Sequence, residues 1–249
     1  MGLSAVTLAS LWSRGTPPAA ALAAALAVGA LAGSLNGSLV SKLMLPPFIA
    51  TLGTLSIARG ISYWVTGGIN ISMSSWEERG GSWLFSALGN CSVLVMALLA
   101  AAAAAMMARS RWGRAVYAIG GNEEAARFCG IPVPRTKVLI YALAGAASAL
   151  AGCAYALRYG SAGVAVGNGY ELQIIAACAV GGTSFSGGRG SIAGAVVGAA
   201  ILQALRETLI QAHVQDTYVE IAYGVMIVFS VAMESAPWMR RKTERRTGP

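Results

Sequence analysis

Long apolar stretches alternate with short polar segments along the whole chain, and most of the apolar stretches are long enough to cross a membrane. A transmembrane helix needs about 20 consecutive, mostly apolar residues. We therefore predict spans at 18–40, 46–66, 83–107, 138–157, 170–185, 192–210 and 219–236. The pattern predicts an all-α integral membrane protein, a polytopic bundle of about seven transmembrane helices, some of them short or broken.

Two further features of the pattern concern the first part of the chain. Residues 1–12 are apolar as well, but they are too few to cross a bilayer as a helix. We expect them to be the tail of a helix whose beginning is missing. A polar segment at 67–82 separates the second span from the third. Proline suits the first turn of a helix, so the Pro46-Pro47 pair predicts where the second span begins.

Composition supports a lipid environment rather than water. Hydrophobic residues make up 56% of the 249 residues and charged residues only 11%, whereas soluble domains average about 25% charged residues. A chain with so little charge could not cover a globular surface in water. Its many small residues, which include 31 glycines, suit membrane helices that pack backbone to backbone.

The net charge of +8 raises the question of nucleic acid binding, but the positions of the basic residues argue against it. Eleven of the 18 Lys and Arg residues lie at 109–137 and 240–246, and both segments flank apolar runs. This is the positive-inside pattern that orients helices in a membrane. We therefore expect segment 109–137 and the basic tail, 237–249, to be cytoplasmic, and we expect no nucleic acid partner.

The sequence contains no signature of catalysis, metal binding or nucleotide binding. The four cysteines have no CxxC spacing, which argues against a metal site or a disulfide framework. No GxxxxGK[ST] loop is present to bind the phosphates of ATP. His213 is the lone histidine and lies in a predicted external loop, which argues against an intramembrane enzyme. We expect no catalytic residue, no metal and no cofactor bound by this chain.

The longest polar segment, which we expect to be cytoplasmic, has the features of a short capped helix. Asn122 is suited to be its N-cap, and Glu123 and Glu124 follow in the first turn, where the helix dipole favours negative charge. Gly130 can end such a helix, and Pro132 prevents it from continuing. A short rigid helix between two spans is suited to transmitting motion. The alternative is an ordinary solvated loop.

Glycines interrupt the apolar sequence between the fifth and sixth spans. Non-helical backbone at membrane depth survives where it is buried in protein or lines a cavity, and broken helices often border a transport pathway. An ionisable residue within a span is also typical of such a pathway. Our candidates for its lining are Glu171, Gly181, Gly182, Thr183 and Ser184. The alternative, which we favour for 187–190, is a tight cytoplasmic turn.

Three blocks of sequence stand out, at 36–60, 113–137 and 167–194. The first is NGSLVSKLMLPPFIATLGTLSIARG, the second ends in YAIGGNEEAARFCGIPVPRTK, and the third is GNGYELQIIAACAVGGTSFSGGRGSIAG. Together they resemble the permeases of ribose-type ABC sugar importers, and the likeness covers nearly the whole chain. It implies the fold of these permeases in a single transmembrane domain, 1–249, with a coupling helix that docks on a separate ATPase. The residues that match this helix are Gly121, Asn122, Glu123, Glu124, Ala125, Ala126, Arg127 and Gly130.

The resemblance implies a permease subunit that forms the pathway for a monosaccharide or a related small polar solute. Its expected partners are a cytosolic ABC ATPase that binds ATP and Mg²⁺, a periplasmic or extracellular sugar-binding protein, a second copy or a paired permease, and membrane lipids. The expected location is the bacterial cytoplasmic (inner) membrane, with several passes and a cytoplasmic C-terminus. The resemblance also implies further spans upstream, which end in a motif like GGIDLSVGS; Gly2-Leu3-Ser4 stands where its middle would be.

Other functions stay open on the sequence. A secondary transporter or a channel would work without ATP and would not need a docking helix. A truncated permease fragment without function is suggested by the apparent lack of the N-terminal spans. An intramembrane enzyme would need a nucleophile and a base, for which His213 is the obvious candidate. The solute itself stays open among pentoses, hexoses, polyols and sugar-like signals.

Overall fold

The computed structural model describes residues 1–73, 88, 91–184 and 186–212, together with positions 218, 221, 224 and 225. Within them the chain forms nine helices and two short strands, so the fold is all-α, as predicted. In chain order these are α1 (Gly2–Ser13), α2 (Pro18–Lys42), α3 (Pro47–Thr66), β1 (Ile71–Ser72), α4 (Ser92–Arg109), α5 (Arg111–Gly121), α6 (Glu123–Phe128), α7 (Val133–Tyr159), β2 (Ser161–Ala162), α8 (Tyr170–Val180) and α9 (Ile192–Gln211). The predicted span at 219–236 lies almost entirely outside the described residues.

The chain divides into two compact units. The first consists of Met1–Leu99 and Arg127–Asn168, and the second of Ala100–Ala126 and Gly169–Pro249. Helices α1, α2, α3 and α7 belong to the first unit, and α5, α8 and α9 belong to the second. The assignment of the whole chain to a single permease domain stays a prediction.

Helix α1 forms much of the core of the first unit. Six of its 12 residues are buried, and the side chain of Trp12 is only 2% exposed. Leu8 and Trp12 belong to one buried cluster with small residues of α2 and with Cys153 and Leu157 of α7. The segment predicted to be the tail of a helix is therefore helical. It is about 18 Å long, too short to cross a bilayer, yet it is packed inside the unit.

Helices α2 and α7 pack so closely that their backbones touch. The buried face of α2 carries a small residue at every fourth position, namely Ala21, Ala25, Gly29, Gly33 and Gly37. A Cβ atom at Gly33 would overlap the carbonyl oxygen of Tyr141. A Cβ atom at position 37 would lie 2.6 Å from the Cα of Val138. Only small residues permit this approach, and in lipid such close packing is a main source of helix association.

The α2–α7 pair is antiparallel, because later residues of α2 face earlier residues of α7. The end of α2 at Lys42 therefore lies at the same end of the pair as Arg135 and Lys137, which are in the first turns of α7. Three basic residues thus lie at this end of the pair, whereas Arg158, in the last turn of α7, lies at the other end. The positive-inside rule favours the end with more basic residues as the cytoplasmic one. The cytoplasmic position of this end stays a prediction.

A pair of two-residue strands, which the sequence pattern did not predict, joins the other ends of α3 and α7. β1 and β2 are antiparallel, with Ile71 opposite Ala162. The Met73 N–H donates a hydrogen bond to the carbonyl oxygen of Gly160 (2.8 Å). Gly67 after α3 and Gly160 after α7 both have left-handed backbone. Glycine adopts this conformation without steric cost, which explains the sharp ends of both helices.

A polar contact joins α2 and α3 within the apolar unit. Thr54 Oγ1 donates a hydrogen bond to Asn36 Oδ1 (2.7 Å). Hydrogen bonds between side chains of neighbouring helices are a recurrent stabilising contact in membranes. Both residues belong to the first of the three sequence blocks, so this block contributes to helix packing.

Four of the described helices, α2, α4, α7 and α9, are long and apolar enough to cross a membrane. Helix α3 has 20 residues and exposes large aromatic side chains such as Trp64, which is 85% exposed. Helix α8 has only 11 residues. Its length is about 16 Å, roughly half of the hydrocarbon core. The span predicted at 170–185 is thus a half-length helix followed by a turn, and the total of seven spans stays a prediction.

Candidate functional site

The polar segment between α4 and α7 folds into two short helices rather than one. Helix α5 begins after Ser110, whose Oγ accepts a hydrogen bond from the Gly113 N–H (3.0 Å). Helix α6 begins after Asn122, whose Oδ1 accepts from the Ala125 N–H (3.0 Å). The predicted N-cap role of Asn122 is confirmed. Helix α5 was not predicted, because its residues were interpreted as polar flanking sequence.

The end of α6 also follows the prediction. Gly130 has a left-handed backbone with φ of +78°, and its N–H donates to the carbonyl oxygen of Arg127 (3.0 Å). Pro132 is the N-cap of α7 and so separates the two helices. Both ends of α6 are therefore fixed by local hydrogen bonds and by backbone geometry. An ordinary solvated loop, the alternative interpretation, would lack these features.

The residues of α6 divide into a buried and an exposed set. Ala126 is only 4% exposed, so this predicted coupling residue supports the helix from inside and presents no surface. Phe128, which was left out of the predicted coupling set, is 85% exposed. Glu124 and Arg127 are exposed as well. The signal that could have identified Phe128 is a large aromatic residue inside an otherwise polar segment, since exposed aromatic side chains often mark interfaces.

The glycine-rich sequence after α8 folds into a compact turn. Gly182 has a φ of +81°, and the Thr183 N–H donates to the Cys178 carbonyl oxygen (2.9 Å), which ends α8. The Ser184 N–H then donates to the carbonyl oxygen of Arg189 (3.0 Å). Ser191 begins α9, because its Oγ accepts from the N–H of residue 194 (2.9 Å). The tight-turn interpretation of 187–190 fits this geometry, and the turn also includes Gly182, Thr183 and Ser184.

Helices α8 and α9 meet through glycines on both sides of this turn. A Cβ atom at Gly198 would overlap the carbonyl oxygen of Ala177, and one at Gly181 would overlap that of Gly194. The two helices are therefore in backbone contact near the turn. Gly181 is needed for this packing, which is a structural reason for its presence that does not depend on a transport pathway.

A shallow, mostly apolar cavity of about 140 Å³, half open to its surroundings, lies between α8 and α9. Its polar lining comes from Tyr170, Gln173 and Gln203, and its remaining lining residues are aliphatic. The Gln203 Nε2 donates to Glu207 Oε1 (3.0 Å), one helical turn further along α9. Polar side chains at a cavity between apolar helices can hydrogen-bond a polar solute. Sequence reasoning did not single out either glutamine, because neither belongs to a recognisable motif.

The five candidate pathway residues do not form one group. Glu171 lies in the first turn of α8, next to the cavity residue Tyr170. Gly181 follows the last turn of the same helix. The two positions are about 15 Å apart along the helix axis, at 1.5 Å per residue. Glu171 is thus placed near the cavity, and Gly181, Gly182, Thr183 and Ser184 are placed at the turn.

The turn contacts helix α5, which brings together two of the three sequence blocks. The Tyr117 hydroxyl donates a hydrogen bond to the carbonyl oxygen of Gly190 (2.8 Å). A Cβ atom at Gly120 would lie 2.7 Å from the amide nitrogen of Gly188, so the backbones touch there as well. The residues in these contacts lie in the second unit. We refer to Tyr117, Gly120, Gly187, Gly188 and Gly190 as the helix–turn contact.

Comparison with known proteins assigns the chain to a family. Residues 1–231 match the family described as the permease component of the branched-chain amino acid transport system. The chain belongs to this permease family. The ribose import permease protein RbsC of Bacillus subtilis is 38% identical over 241 residues. The galactose/methyl galactoside import permease protein MglC of Escherichia coli is 37% identical over 210 residues. The resemblance to ribose-type sugar permeases is therefore confirmed.

The share of each relative's length that aligns with this permease differs from one relative to the next. The alignment with the Bacillus protein covers 94% of this permease and 73% of the relative. For the Escherichia coli galactose permease the shares are 82% and 62%. For the probable ABC transporter permease protein YphD of Escherichia coli, at 36% identity, they are 75% and 56%. No solved structure matches the permease. Its membrane location and transport role follow from the family and from the four apolar helices.

Proposed function

We propose that this chain is the membrane-spanning subunit of an ATP-driven importer and forms the pathway for a monosaccharide or a related small polar solute. The names of the ribose and galactose permeases support a sugar as the solute. The observation that carries the proposal is α6, a short helix fixed at both ends and exposed on one face. An importer driven by a separate ATPase needs such a docking element, whereas a secondary transporter does not.

The partner at α6 is a cytosolic ABC ATPase, which binds ATP and Mg²⁺ within its own chain. Phe128 is suited to fill a pocket of the ATPase, because buried aromatic side chains dominate the binding free energy of many interfaces. Glu124 and Arg127 are suited to the polar rim around it. Since local hydrogen bonds fix both ends of α6, docking does not first have to order the helix.

The solute passes beside the cavity between α8 and α9. The side-chain amides of Gln173 and Gln203 can each donate and accept hydrogen bonds, which suits the hydroxyl groups of a sugar. A sugar-binding protein delivers the solute on the outer side. A second copy of the permease, or a paired permease, completes the pathway. The solute crosses the membrane unchanged, so the permease needs no catalytic residue.

ATP drives transport by changing which conformation of the permease is favoured. A ligand shifts a conformational equilibrium only by as much as its affinity differs between the two conformations. The permease has two conformations, outward-facing and inward-facing, and ATP bound to the ATPase favours one of them. The loaded binding protein acts on the same equilibrium from the outer side of the membrane. Helix α6 is the element through which the ATPase acts on the permease.

Replacing Phe128 with alanine tests the docking role of α6. We expect binding of the ATPase to weaken by about 30-fold, equivalent to about 2 kcal/mol, because the main aromatic anchor is lost. The measurement is co-purification from native membranes in a gentle detergent, with mass spectrometry of the partners, followed by uptake of labelled ribose and galactose into vesicles with and without ATP. The matched control is Trp64→Ala, which truncates an equally exposed aromatic side chain on α3.

The same measurements on the wild-type protein distinguish an importer from a secondary transporter. Recovery of an ABC ATPase together with ATP-dependent uptake supports the importer. Uptake that follows an ion gradient and ignores ATP contradicts it and supports a secondary transporter. If Trp64→Ala loses the ATPase to the same extent as Phe128→Ala, the loss reflects folding in the membrane, and the docking role of Phe128 is wrong.

A further inference from the structure

The helix–turn contact joins two segments that are far apart in the sequence. Tyr117 and Gly190 are 73 residues apart, and the Tyr117 hydroxyl donates to the Gly190 carbonyl oxygen at 2.8 Å. This length is typical of a good O–H···O hydrogen bond. The side chain of Tyr117 is 37% exposed, so it lies at the edge of the contact. A hydrogen bond between distant segments fixes their relative position in a way that local bonds cannot.

Beside this hydrogen bond, the backbones of the two segments touch at glycines. A Cβ atom at Gly120 would lie 2.7 Å from the Gly188 nitrogen and 3.3 Å from its Cα. A Cβ atom at Gly187 would overlap the carbonyl oxygen of Gly120. No side chain separates the last turn of α5 from the turn between α8 and α9. The contact therefore has little freedom to slide, because atoms of both backbones are already at van der Waals distance.

Hydrogen bonds continue from the contact in both directions. Toward the docking helix, the Asn122 N–H donates to the Ala118 carbonyl oxygen (3.0 Å), and the Asn122 side chain begins α6. Toward the cavity, the turn is closed by the bond between Ser184 and Arg189, and Ser191 begins α9. A continuous series of short-range contacts thus connects α6 with α8 and α9, the helices that line the cavity.

We propose that Tyr117 is a positioning residue that fastens α5 to the α8–α9 turn, so that a displacement of the docked α6 moves α8 and α9 with it. The proposal rests on the proposed importer function. It assigns the link between the ATPase and the cavity to a hydrogen bond and a glycine contact within the second unit. Tyr117 itself touches neither the ATPase nor the solute. Its removal should weaken the link without weakening docking.

The variant Tyr117→Phe removes the hydroxyl and keeps the ring. We expect the amount of sugar imported per ATP hydrolysed to fall by about fivefold, the change in an equilibrium constant that one hydrogen bond of ordinary strength supports. Recovery of the ATPase with the permease should stay unchanged. The assay uses the full permease with its co-purified ATPase and binding protein in proteoliposomes, and the sugar that wild-type protein imports. Tyr159→Phe, which removes a hydroxyl from an exposed tyrosine of α7, is the matched control.

A second pair of variants probes the glycine contact independently. Gly120→Ala places a methyl group against the Gly188 backbone, whereas Gly53→Ala in α3 places one in open space. We expect Gly120→Ala to lower sugar import per ATP as Tyr117→Phe does, and Gly53→Ala to leave it unchanged. If Gly120→Ala does not reach the membrane, Tyr117→Phe alone decides.

The outcomes separate the two proposals. An unchanged ratio of import to ATP hydrolysis in Tyr117→Phe overturns the positioning role and leaves the importer function intact. A loss of ATPase recovery in the same variant also overturns it, because Tyr117 would then belong to the docking surface or to the fold. Wild-type protein without ATP-dependent import overturns the importer function itself, and the positioning role with it.

Discussion

At the scale of single residues, Gly33 is a point where two helices touch without an intervening side chain. Alanine has a better helix propensity than glycine by about 1 kcal/mol, so an unhindered substitution would stabilise α2. At Gly33 the added methyl group would overlap the Tyr141 carbonyl oxygen of α7. Steric cost and propensity therefore act in opposite directions, and the close contact is expected to dominate.

We predict that Gly33→Ala lowers the free energy of unfolding by about 1–3 kcal/mol, the usual cost of overpacking. Thermal unfolding in detergent, followed by tryptophan fluorescence, measures the change. Gly53→Ala is the control, since nothing lies within 4 Å of the added methyl group. A Gly33→Ala protein as stable as the Gly53→Ala protein would mean that α2 and α7 can separate at no cost.

The sequence predicted the bounds of some helices closely, and the reason is visible at their ends. The second span was predicted at 46–66, and α3 is Pro47–Thr66, because proline begins the helix and Gly67 ends it. Helix α7 is longer than its predicted span of 138–157, at Val133–Tyr159. Hydropathy reports where a helix lies in lipid, and α7 continues into the polar segment beyond it.

Elements in the polar segment were predicted less completely. The caps of α6 have local signals in Asn122 and Gly130, so its position was predicted. Helix α5 has a comparable start signal in its N-cap Ser110, but it was missed because its residues were interpreted as polar flanking sequence. The contact of Gly120 with Gly188 could not be predicted at all, because glycines that meet across 68 positions leave no periodic pattern in the sequence.

The N-cap of α6 offers a prediction at the scale of an element. Asn122→Ala removes the acceptor of the Ala125 N–H, which usually costs a helix about 1 kcal/mol. We expect α6 to fray, hydrogen exchange of its amides to become faster, and the ATPase to be recovered less efficiently. Asn122→Asp keeps a capping oxygen and should restore both properties. If exchange in Asn122→Ala matched that of wild type, the capping bond would not be what holds α6 in shape.

At the scale of the whole molecule, the charge pattern predicts how the chain is oriented in its membrane. Lys42, Arg135 and Lys137 lie at one end of the α2–α7 pair, the end to which the docking segment is connected. By the positive-inside rule we expect that end to face the cytoplasm. Cys129 is exposed and follows α6 immediately. Chemical labelling of its thiol can therefore test on which side of the membrane this end lies.

We predict that a membrane-impermeant maleimide labels Cys129 in inside-out vesicles and not in intact spheroplasts. A Cys91→Ser background removes the other exposed cysteine, and Cys153 is buried. Cys129→Ser in the same background should lose the labelling and so identifies the site. Labelling of Cys129 from the outer side of spheroplasts would invert the orientation and remove α6 from the reach of a cytosolic ATPase.

The contact between α5 and the α8–α9 turn also bears on which parts of this permease can be exchanged with a relative. Residues 122–130 carry their own caps, so under the proposed docking role we expect that replacing them alone would change which ATPase is recruited. Helix α5 is not such a module, because Tyr117 and Gly120 are matched to a turn encoded some 70 codons later. A chimera that takes one of these two segments from another permease must take the other as well.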